Sequence, residues 1–308
     1  MDLKLPYSLF WAGSYLELIF TGEELHLSFE ADFERIEPWI VVELNGAPLL
    51  RAPLDRGTTC FCLFRGMTPG VPKHVRIFKE TQPITDDPRH HLTVTGLDGV
   101  GGEFLPAAPK PLYLEFIGDS LTSGEGIVGA KEETDWVSPL FSASQSWARL
   151  TAGLLDADFC AVSQSGWGVC SGWDGDVTHV VPRWYEETQS LRQREPDAIL
   201  INLGTNDANA ILSGMSPVNP DGFEEGALAF LTRLRELHPT ARLVWVYGML
   251  DAPLRPQLER AVQRFGDAWY LPLFSVTEET MGSRQHPGPL CHQAAAEATA
   301  KFLSSILR

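Results

Sequence analysis

The pattern of apolar residues changes near residue 109, and this change divides the sequence into two segments. Before it, short alternating runs such as 25–30 and 74–78 predict strands with one solvated face, and no run predicts a helix of useful length. After it, strand-like and helical runs alternate. A chain of 308 residues is long enough for two cores. We therefore predict two domains, residues 1–108 and 109–308.

The first segment predicts an all-β sandwich. Asn45-Gly46 separates the strand-like runs 39–44 and 47–50, a pattern typical of a hairpin with a primed turn. Many short strands that close on turns favour an antiparallel sandwich of the jelly-roll type. Three prolines, at positions 106, 109 and 111, then mark the junction between the segments.

The second segment predicts a three-layer α/β/α domain of the flavodoxin-like kind. Alternating strands and helices give a parallel sheet that is covered on both faces. The predicted strands are 112–117, 159–162, 199–203, 243–247 and 269–273, and the predicted helices are 145–155, 223–237, 254–265 and a last helix running to about 306.

A serine follows the first strand of this second segment, in the run FIGDSLTSGEG at 116–126. Gly118 permits a sharp turn, so Ser120 is expected at the carboxyl end of the strand, where open α/β sheets bind ligands. We interpret Asp119 as structural, its carboxylate accepting backbone N–H bonds that hold the turn. The tetrapeptide alone is weak evidence, because Gly, Asp and Ser are common in ordinary turns.

Three further blocks follow in order, SQSGWGV at 163–169, GTND at 204–207 and SRQHP at 283–287. Together with the serine block they resemble the GDSL or SGNH hydrolases. The resemblance implies that Ser120 is the nucleophile and His286 the general base. It also implies that Gly166, Asn206 and the N–H of Ser120 form the oxyanion hole. Ester hydrolysis needs this set of groups, and we expect no metal or other cofactor.

One position departs from the family pattern, because Ser283 stands where the usual block has an aspartate that orients the histidine. A backbone carbonyl or the Ser283 hydroxyl could accept a hydrogen bond from Nδ1 of His286, which would give a Ser–His dyad. Glu278 or Glu279 could instead supply the carboxylate, although such a pair more commonly serves surface solvation.

Another histidine stands close to the predicted base in the sequence. We interpret His292 as a residue at the start of the last helix. His286 precedes a proline, which favours an extended backbone and hence a loop, where catalytic residues tend to lie.

A sandwich that precedes an SGNH domain is similar to the arrangement in carbohydrate esterase family 2, and nearly the whole chain fits that plan. The sequence WAGS at 11–14 adds to the resemblance. The resemblance implies removal of O-acetyl groups from plant polysaccharides or their oligomers, often at the 6-position. It also implies that some members work as dyads.

Tryptophans near the serine are candidates for a sugar platform, since indole packs on the apolar faces of pyranose rings. Trp167 directly follows Gly166 and is the first candidate. We interpret Trp136, Trp173 and Trp184 as ordinary packing residues, because tryptophan is highly buried on average.

The formal charge of −16 and the pI of about 4.9 argue against nucleic acid as a partner. They favour neutral acetylated xylo-, manno- or glucomanno-oligosaccharides as substrates. The sequence shows no leader peptide and no apolar stretch long enough for a bilayer, which predicts a cytoplasmic protein without a membrane partner. The odd number of cysteines, five, agrees with a reducing compartment. The oligomeric state is left open.

Two other functions are compatible with the same residues. A lipid or thioester hydrolase would use the same catalytic groups on another acyl substrate. A carbohydrate-binding protein could have lost catalysis together with the aspartate.

Overall fold

The computed structural model describes residues 5–192 and 194–307, which form two compact units. One unit contains the chain up to Pro109 together with Trp136–Ser144, and the other contains Lys110–Asp135 and the chain from Gln145 onward. The sequence prediction divided the chain once, between residues 108 and 109. It did not include the segment Trp136–Ser144 in the first unit.

The first unit consists of two antiparallel sheets. One sheet has four strands in the order β1-β8-β3-β6, and the other has five in the order β5-β4-β7-β2-β9. The strands are β1 Tyr7–Ser8, β2 Tyr15–Phe20, β3 Glu24–Asp32, β4 Trp39–Leu44, β5 Ala47–Pro53, β6 Gly57–Phe64, β7 Lys73–Lys79, β8 His91–Val100 and β9 Phe104–Pro106.

Alternating side chains from both sheets form one apolar core. In β2 and β3 every second residue is buried, among them Leu18 and Leu27, as expected of strands with one solvated face. Asn45 and Gly46 both have positive φ, 52° and 82°, and they join β4 to β5. This is the geometry of a primed hairpin turn, so the hairpin and the jelly-roll sandwich predicted from the sequence are confirmed.

The second unit is built on a five-stranded parallel sheet in the order β11-β10-β12-β13-β14. The strands are β10 Leu112–Gly118, β11 Ala157–Ser163, β12 Ala198–Asn202, β13 Arg242–Met249 and β14 Trp269–Ser275. The helices are α1 Ser120–Ser123, α2 Trp147–Leu154, α3 Val181–Glu187, α4 Thr205–Leu212, α5 Pro220–Leu237, α6 Arg255–Phe265 and α7 Pro289–Ile306.

The helices cover the sheet, with α2 packed against α7 and α5 against α6. All five residues of β12 are buried, as expected for a central strand covered on both faces. The predicted three-layer α/β domain is confirmed. Short 3-10 helices occur at Ser138–Leu140, Ala143–Gln145, Gln189–Leu191 and Ser283–Gln285. Among the described residues, no helix combines the length and the apolarity that a bilayer requires.

The strand order places the functional edge of the sheet. From β10 the chain passes to β11 on one side, and the next strand, β12, lies on the other side of β10. The connections therefore diverge at the carboxyl end of β10. This is the topological switch point at which doubly wound sheets form their ligand-binding crevice.

Candidate active site

The serine turn is built at the end of β10. Asp119 caps helix α1, and its Oδ1 accepts a hydrogen bond of 3.0 Å from the N–H of Leu121, the structural role predicted from the sequence. A Cβ at Gly118 would lie 2.0 Å from Oγ1 of Thr122, so no larger residue fits there. Ser120 is the first residue of α1 and retains 8% exposure.

The structure brings Ser120 and His286 into contact. Oγ of Ser120 lies 2.9 Å from Nε2 of His286. Nδ1 of the same ring lies 2.8 Å from the backbone carbonyl oxygen of Arg284. A carbonyl only accepts, so Nδ1 carries the proton and Nε2 is the acceptor for the serine hydroxyl. The arrangement is a Ser–His dyad whose tautomer is fixed by a peptide carbonyl.

The structure distinguishes between the groups that could orient the imidazole of His286. Of the acceptors considered, the backbone carbonyl is the one in contact, and Oγ of Ser283 instead donates to the carbonyl of Gly126. Glu278 is exposed and pairs with Lys131 at 3.0 Å. Glu279 is also exposed and accepts from the Thr277 hydroxyl at 2.8 Å. The prediction that the glutamates solvate the surface fits both contacts.

The two other predicted oxyanion donors follow strands β11 and β12, Gly166 in a loop and Asn206 at the start of α4. Nδ2 of Asn206, in the first turn of α4, donates to the carbonyl of Trp167 at 2.9 Å and to Oδ2 of Asp119 at 3.2 Å. Gly166 has a φ of +80°, a conformation that favours glycine. Asn206 therefore connects the glycine loop to the serine turn, and both of its amide hydrogens already have protein acceptors.

Asp207 holds the glycine loop in place. Its carboxylate accepts backbone N–H bonds from Val169 at 2.8 Å, Cys170 at 2.7 Å and Ser171 at 3.3 Å. Burial raises the pKa of Asp207 to about 6, although these N–H donors favour the charged form. Neighbouring residues in α4 thus have separate uses, since Asn206 faces the serine turn and Asp207 fixes the loop that carries Gly166.

The tryptophans are placed differently from the sequence interpretation. Trp167 is half-buried, stacks on His179 with ring centroids 5.3 Å apart and meets Trp184 edge-on. Trp173 is 56% exposed and lies against Gly166, where an added Cβ would be 2.9 Å from Cδ1 of the indole. The interpretation of Trp173 as a packing residue was wrong, because a loop leaves its ring largely in solvent.

The remaining tryptophans and the competing histidine agree with packing roles. Trp136 contacts Phe141 edge-on within the first unit. His292 lies in the first turn of α7, as predicted, and is fully buried, with Nδ1 accepting from the N–H of Trp147 at 3.0 Å. Burial lowers the pKa of His292 to about 3, so this ring stays neutral.

Sequence reasoning missed two residues that contact the histidine. Glu125 is buried, and its Oε1 lies 2.8 Å from Nε of Arg284 and 3.8 Å from Nε2 of His286. Arg284 supplies the carbonyl that accepts from Nδ1. The sequence did offer one indication of both residues: each lies in the same short block as a predicted catalytic residue, Glu125 with Ser120 and Arg284 with His286.

Comparison with known proteins identifies the family. Residues 116–271 match the GDSL-like lipase/acylhydrolase family. An acetyl xylan esterase from the rumen bacterium Butyrivibrio proteoclasticus has a similar structure, with a TM-score of 0.91 and 34% identity over 98% of this chain and 92% of that one. A family two carbohydrate esterase from Clostridium thermocellum, solved with cellohexaose, has a TM-score of 0.86 at 22% identity over 97% of this chain and 94% of that one.

Two curated proteins are also similar in sequence. The cellulase/esterase CelE of Acetivibrio thermocellus is 29% identical over 206 residues, which are 64% of this chain but 24% of that protein. An acetylxylan esterase/glucomannan deacetylase of Cellvibrio japonicus is 27% identical over 265 residues, 81% of this chain and 68% of that protein. This chain thus spans about a quarter of the length of CelE.

The chain belongs to the GDSL-like lipase/acylhydrolase family, a family of hydrolases. Within it, the chain has the fold of the family two carbohydrate esterases, an SGNH domain preceded by a jelly-roll sandwich. The resemblance inferred from the sequence blocks is confirmed.

Proposed function

We propose that this protein is a carbohydrate O-acetylesterase that works through Ser120 and His286. The observation that carries the proposal is the dyad, with Oγ 2.9 Å from Nε2 and Nδ1 2.8 Å from the carbonyl of Arg284. Support also comes from the 34% identity to an acetyl xylan esterase over nearly the whole chain. A binding protein with a decayed site would have no need to keep the serine and the imidazole in hydrogen-bonding contact.

The reaction proceeds in two halves. Oγ of Ser120 attacks the acetyl carbonyl carbon while its proton passes to Nε2 of His286. The C–O bond to the sugar then breaks, and the proton on Nε2 moves to the departing sugar oxygen, which leaves an acetyl-enzyme. Water attacks this ester, gives its proton to Nε2 and releases acetate as the proton returns to Oγ. In neither half of the reaction does a residue other than Ser120 and His286 change its protonation.

Backbone and side-chain donors stabilise the negative oxygen of each tetrahedral intermediate. The N–H groups of Ser120 and Gly166 and the amide of Asn206 are the proposed donors. Of the two hydrogen bonds that Asn206 donates, the one to Asp119 is the longer, 3.2 Å against 2.9 Å. We expect the oxyanion to replace Asp119 as the acceptor, which keeps Asn206 anchored to the carbonyl of Trp167.

The proposed substrates are acetylated xylo-, manno- or glucomanno-oligosaccharides, possibly deacetylated at the 6-position. The Cellvibrio relative is called an acetylxylan esterase/glucomannan deacetylase, and the net charge of −16 favours neutral chains over acidic ones. The exposed indole of Trp173 beside Gly166 offers a flat apolar face for a pyranose ring. Trp167 is the second candidate, although its ring already stacks on His179.

The test is release of acetate from acetylated xylo- and manno-oligosaccharides, followed by NMR for the wild type and for Ser120→Ala. We expect serine-dependent release, and the spectra will show which hydroxyl loses its acetyl group. Failure to cleave any sugar ester, together with faster cleavage of long-chain acyl or thioester substrates, would favour the lipid or thioester hydrolase. Oligosaccharide binding without any cleavage would favour the binding protein.

The role of Trp173 is tested by comparing two substrates. Trp173→Ala is expected to raise KM for the oligosaccharide and to leave kcat/KM for a small aryl acetate close to that of the wild type. An equal loss on both substrates would mean that the indole supports the Gly166 loop and does not bind sugar.

A further inference from the structure

Glu125 is a buried carboxylate beside the dyad. It lies five positions after Ser120 and its N–H donates to the carbonyl of Ser120 at 3.1 Å. Its side chain is 3% exposed, and Oε1 accepts from Nε of Arg284 at 2.8 Å. The same oxygen lies 3.8 Å from Nε2 of His286, on the side of the ring that faces the serine. The carboxylate therefore contacts both the base and the residue that orients the base.

The backbone at Arg284 is in a conformation that needs support. Arg284 and Gln285 have φ values of 55° and 59°, the left-handed region, which residues other than glycine disfavour. Three contacts anchor Arg284: its N–H donates to the carbonyl of Glu133 at 2.8 Å, Nη1 to that of Thr134 at 2.7 Å and Nε to Glu125. These contacts aim the Arg284 carbonyl at the histidine ring.

We propose that the Glu125–Arg284 ion pair replaces the missing aspartate of the triad by dividing its work between two residues. Arg284 presents the carbonyl that fixes the tautomer of His286. Glu125 holds Arg284 in place and supplies the negative charge that stabilises the imidazolium during the reaction. Both are positioning residues, since neither is placed to touch the reacting ester. The inference rests on the proposed Ser120–His286 chemistry and explains how it works without an aspartate.

The charge state of Glu125 supports this division. Burial by itself raises the pKa of Glu125, but the charge of His286 and the hydrogen bonds from Ser165 and Arg284 outweigh it, so the pKa is lowered and the group stays ionised. Two other titratable groups face the dyad. His292 is neutral because burial lowers its pKa to about 3, and burial raises the pKa of Asp119 to about 7.

The experiment measures how fast a serine-directed phosphonate labels Ser120 at a series of pH values, read by intact-protein mass. This probe reports the reactivity of the dyad without requiring the correct sugar. We compare the wild type with Glu125→Gln and Arg284→Met. Glu278→Gln is the matched control, because it removes an exposed, ion-paired carboxylate that makes no contact with the dyad.

Glu125→Gln keeps the shape of the side chain and removes its charge. We expect the maximal labelling rate to fall about tenfold to a hundredfold, because the base is less well placed. We also expect the acidic limb of the pH profile to move to lower pH by about one unit, because the imidazolium loses its neighbouring anion.

Arg284→Met removes the cation and leaves the carboxylate, so the acidic limb is expected to move the opposite way, to higher pH, while the maximal rate again falls. Glu278→Gln should match the wild type in both respects. If Glu125→Gln does not fold, as judged by its melting curve, Arg284→Met decides the question by the direction of its shift alone.

Unchanged acidic limbs in both charge variants, or shifts in the same direction, would overturn the inference and leave a purely structural ion pair. A wild type that labels at Ser120 but releases no acetate from any sugar would contradict the proposed substrate and leave the inference standing. A wild type that does not label at all would contradict both.

Discussion

The serine and the histidine lie 2.9 Å apart but are positioned by different means. Ser120 follows a central strand directly and begins a capped helix, so regular backbone structure fixes its place. His286 lies in an irregular segment between β14 and α7, and two preceding residues have positive φ. Local geometry therefore positions Ser120, whereas contacts from distant parts of the sequence position His286.

Each of the two residues has a buried carboxylate beside it, Asp119 on the serine side (the turn around Ser120) and Glu125 on the histidine side (the segment around His286). The pKa values of these two carboxylates are shifted in opposite directions. Burial raises the pKa of Asp119 to about 7 against the N–H of Leu121, and nearby negative charges add to the rise. The pKa of Glu125 is lowered, because His286 and Arg284 outweigh the effect of its burial. Burial thus favours the neutral form of Asp119 beside Ser120, while His286 and Arg284 favour the ionised form of Glu125.

The largest expected effect is common to both sides. His286→Ala and Ser120→Ala should each lower kcat on an acetyl ester by about 10⁴- to 10⁶-fold, because the two residues act as one unit. The double variant should be no slower than either single variant. Steady-state rates of the three variants check this. Losses that multiply in the double variant would mean that the residues act independently.

Asn206→Ala should lower kcat by about 10²- to 10³-fold with little change in KM, because the amide is expected to bind the oxyanion and not the ground state. Asn209→Ala is the matched control for kcat. It lies in the same helix and is exposed, and because it donates to the carbonyl of Trp173, its loss should affect KM for the oligosaccharide and not kcat. A rise in KM without a loss of kcat in Asn206→Ala would show that the amide binds the substrate itself.

Asp119→Asn tests the serine side through the pH dependence of stability. With the native pKa raised, the folded protein binds more protons than the unfolded chain between about pH 4 and 7. The stability from this group is full below pH 4 and is lost as the pH rises to 7. The free energy of unfolding of the wild type should therefore fall by about 2–4 kcal/mol relative to Asp119→Asn across this range. Urea unfolding at several pH values measures the difference, and a constant difference would contradict the assignment.

Gly126→Ala tests the histidine side. Gly126 has a φ of +77°, and an added Cβ would lie 2.6 Å from the carbonyl oxygen of Ser283 and 2.7 Å from Cβ of His286. The variant should displace the base and lower kcat about tenfold to a hundredfold. Gly214→Ala is the control, with a φ of +74° and open space around the new Cβ.

Both glycine variants should lose about 1 kcal/mol of stability, because both place alanine in the left-handed region, and Gly126→Ala should lose more because its Cβ also overlaps neighbouring atoms. Only Gly126→Ala should lose activity. An equal loss of activity in the two variants would mean that contact between the serine and histidine segments does not position the base.

The contrast between the two sides also explains what the sequence could predict. The Asn45-Gly46 hairpin and the turn at Ser120 follow from residue types whose backbone preferences act over a few positions. The blocks at Gly166, Asn206 and His286 could be placed at one sheet edge because the carboxyl ends of parallel strands meet there.

The other features of the site and fold depend on tertiary contacts that no local sequence pattern indicates. Nothing in the residue types at Arg284 and Gln285 indicates positive φ, and Arg284 is held there by carbonyls and a carboxylate far away in the sequence. From the sequence alone, Glu125 cannot be distinguished from a solvated glutamate, because its burial depends on the tertiary fold. The exposure of Trp173 likewise depends on how its loop folds, and the return of Trp136–Ser144 to the first unit has no compositional marker.

In the proposed reaction, Ser120 carries the acetyl group between the sugar and water. To detect this acetyl-enzyme, the reaction with an acetylated oligosaccharide is quenched in acid within the first turnovers, and acetylated peptides are mapped by mass spectrometry. We expect one acetyl group on the peptide that contains Ser120 in the wild type and none on that peptide in Ser120→Ala. Continued release of acetate by Ser120→Ala, with no acetylated peptide, would contradict the proposed reaction.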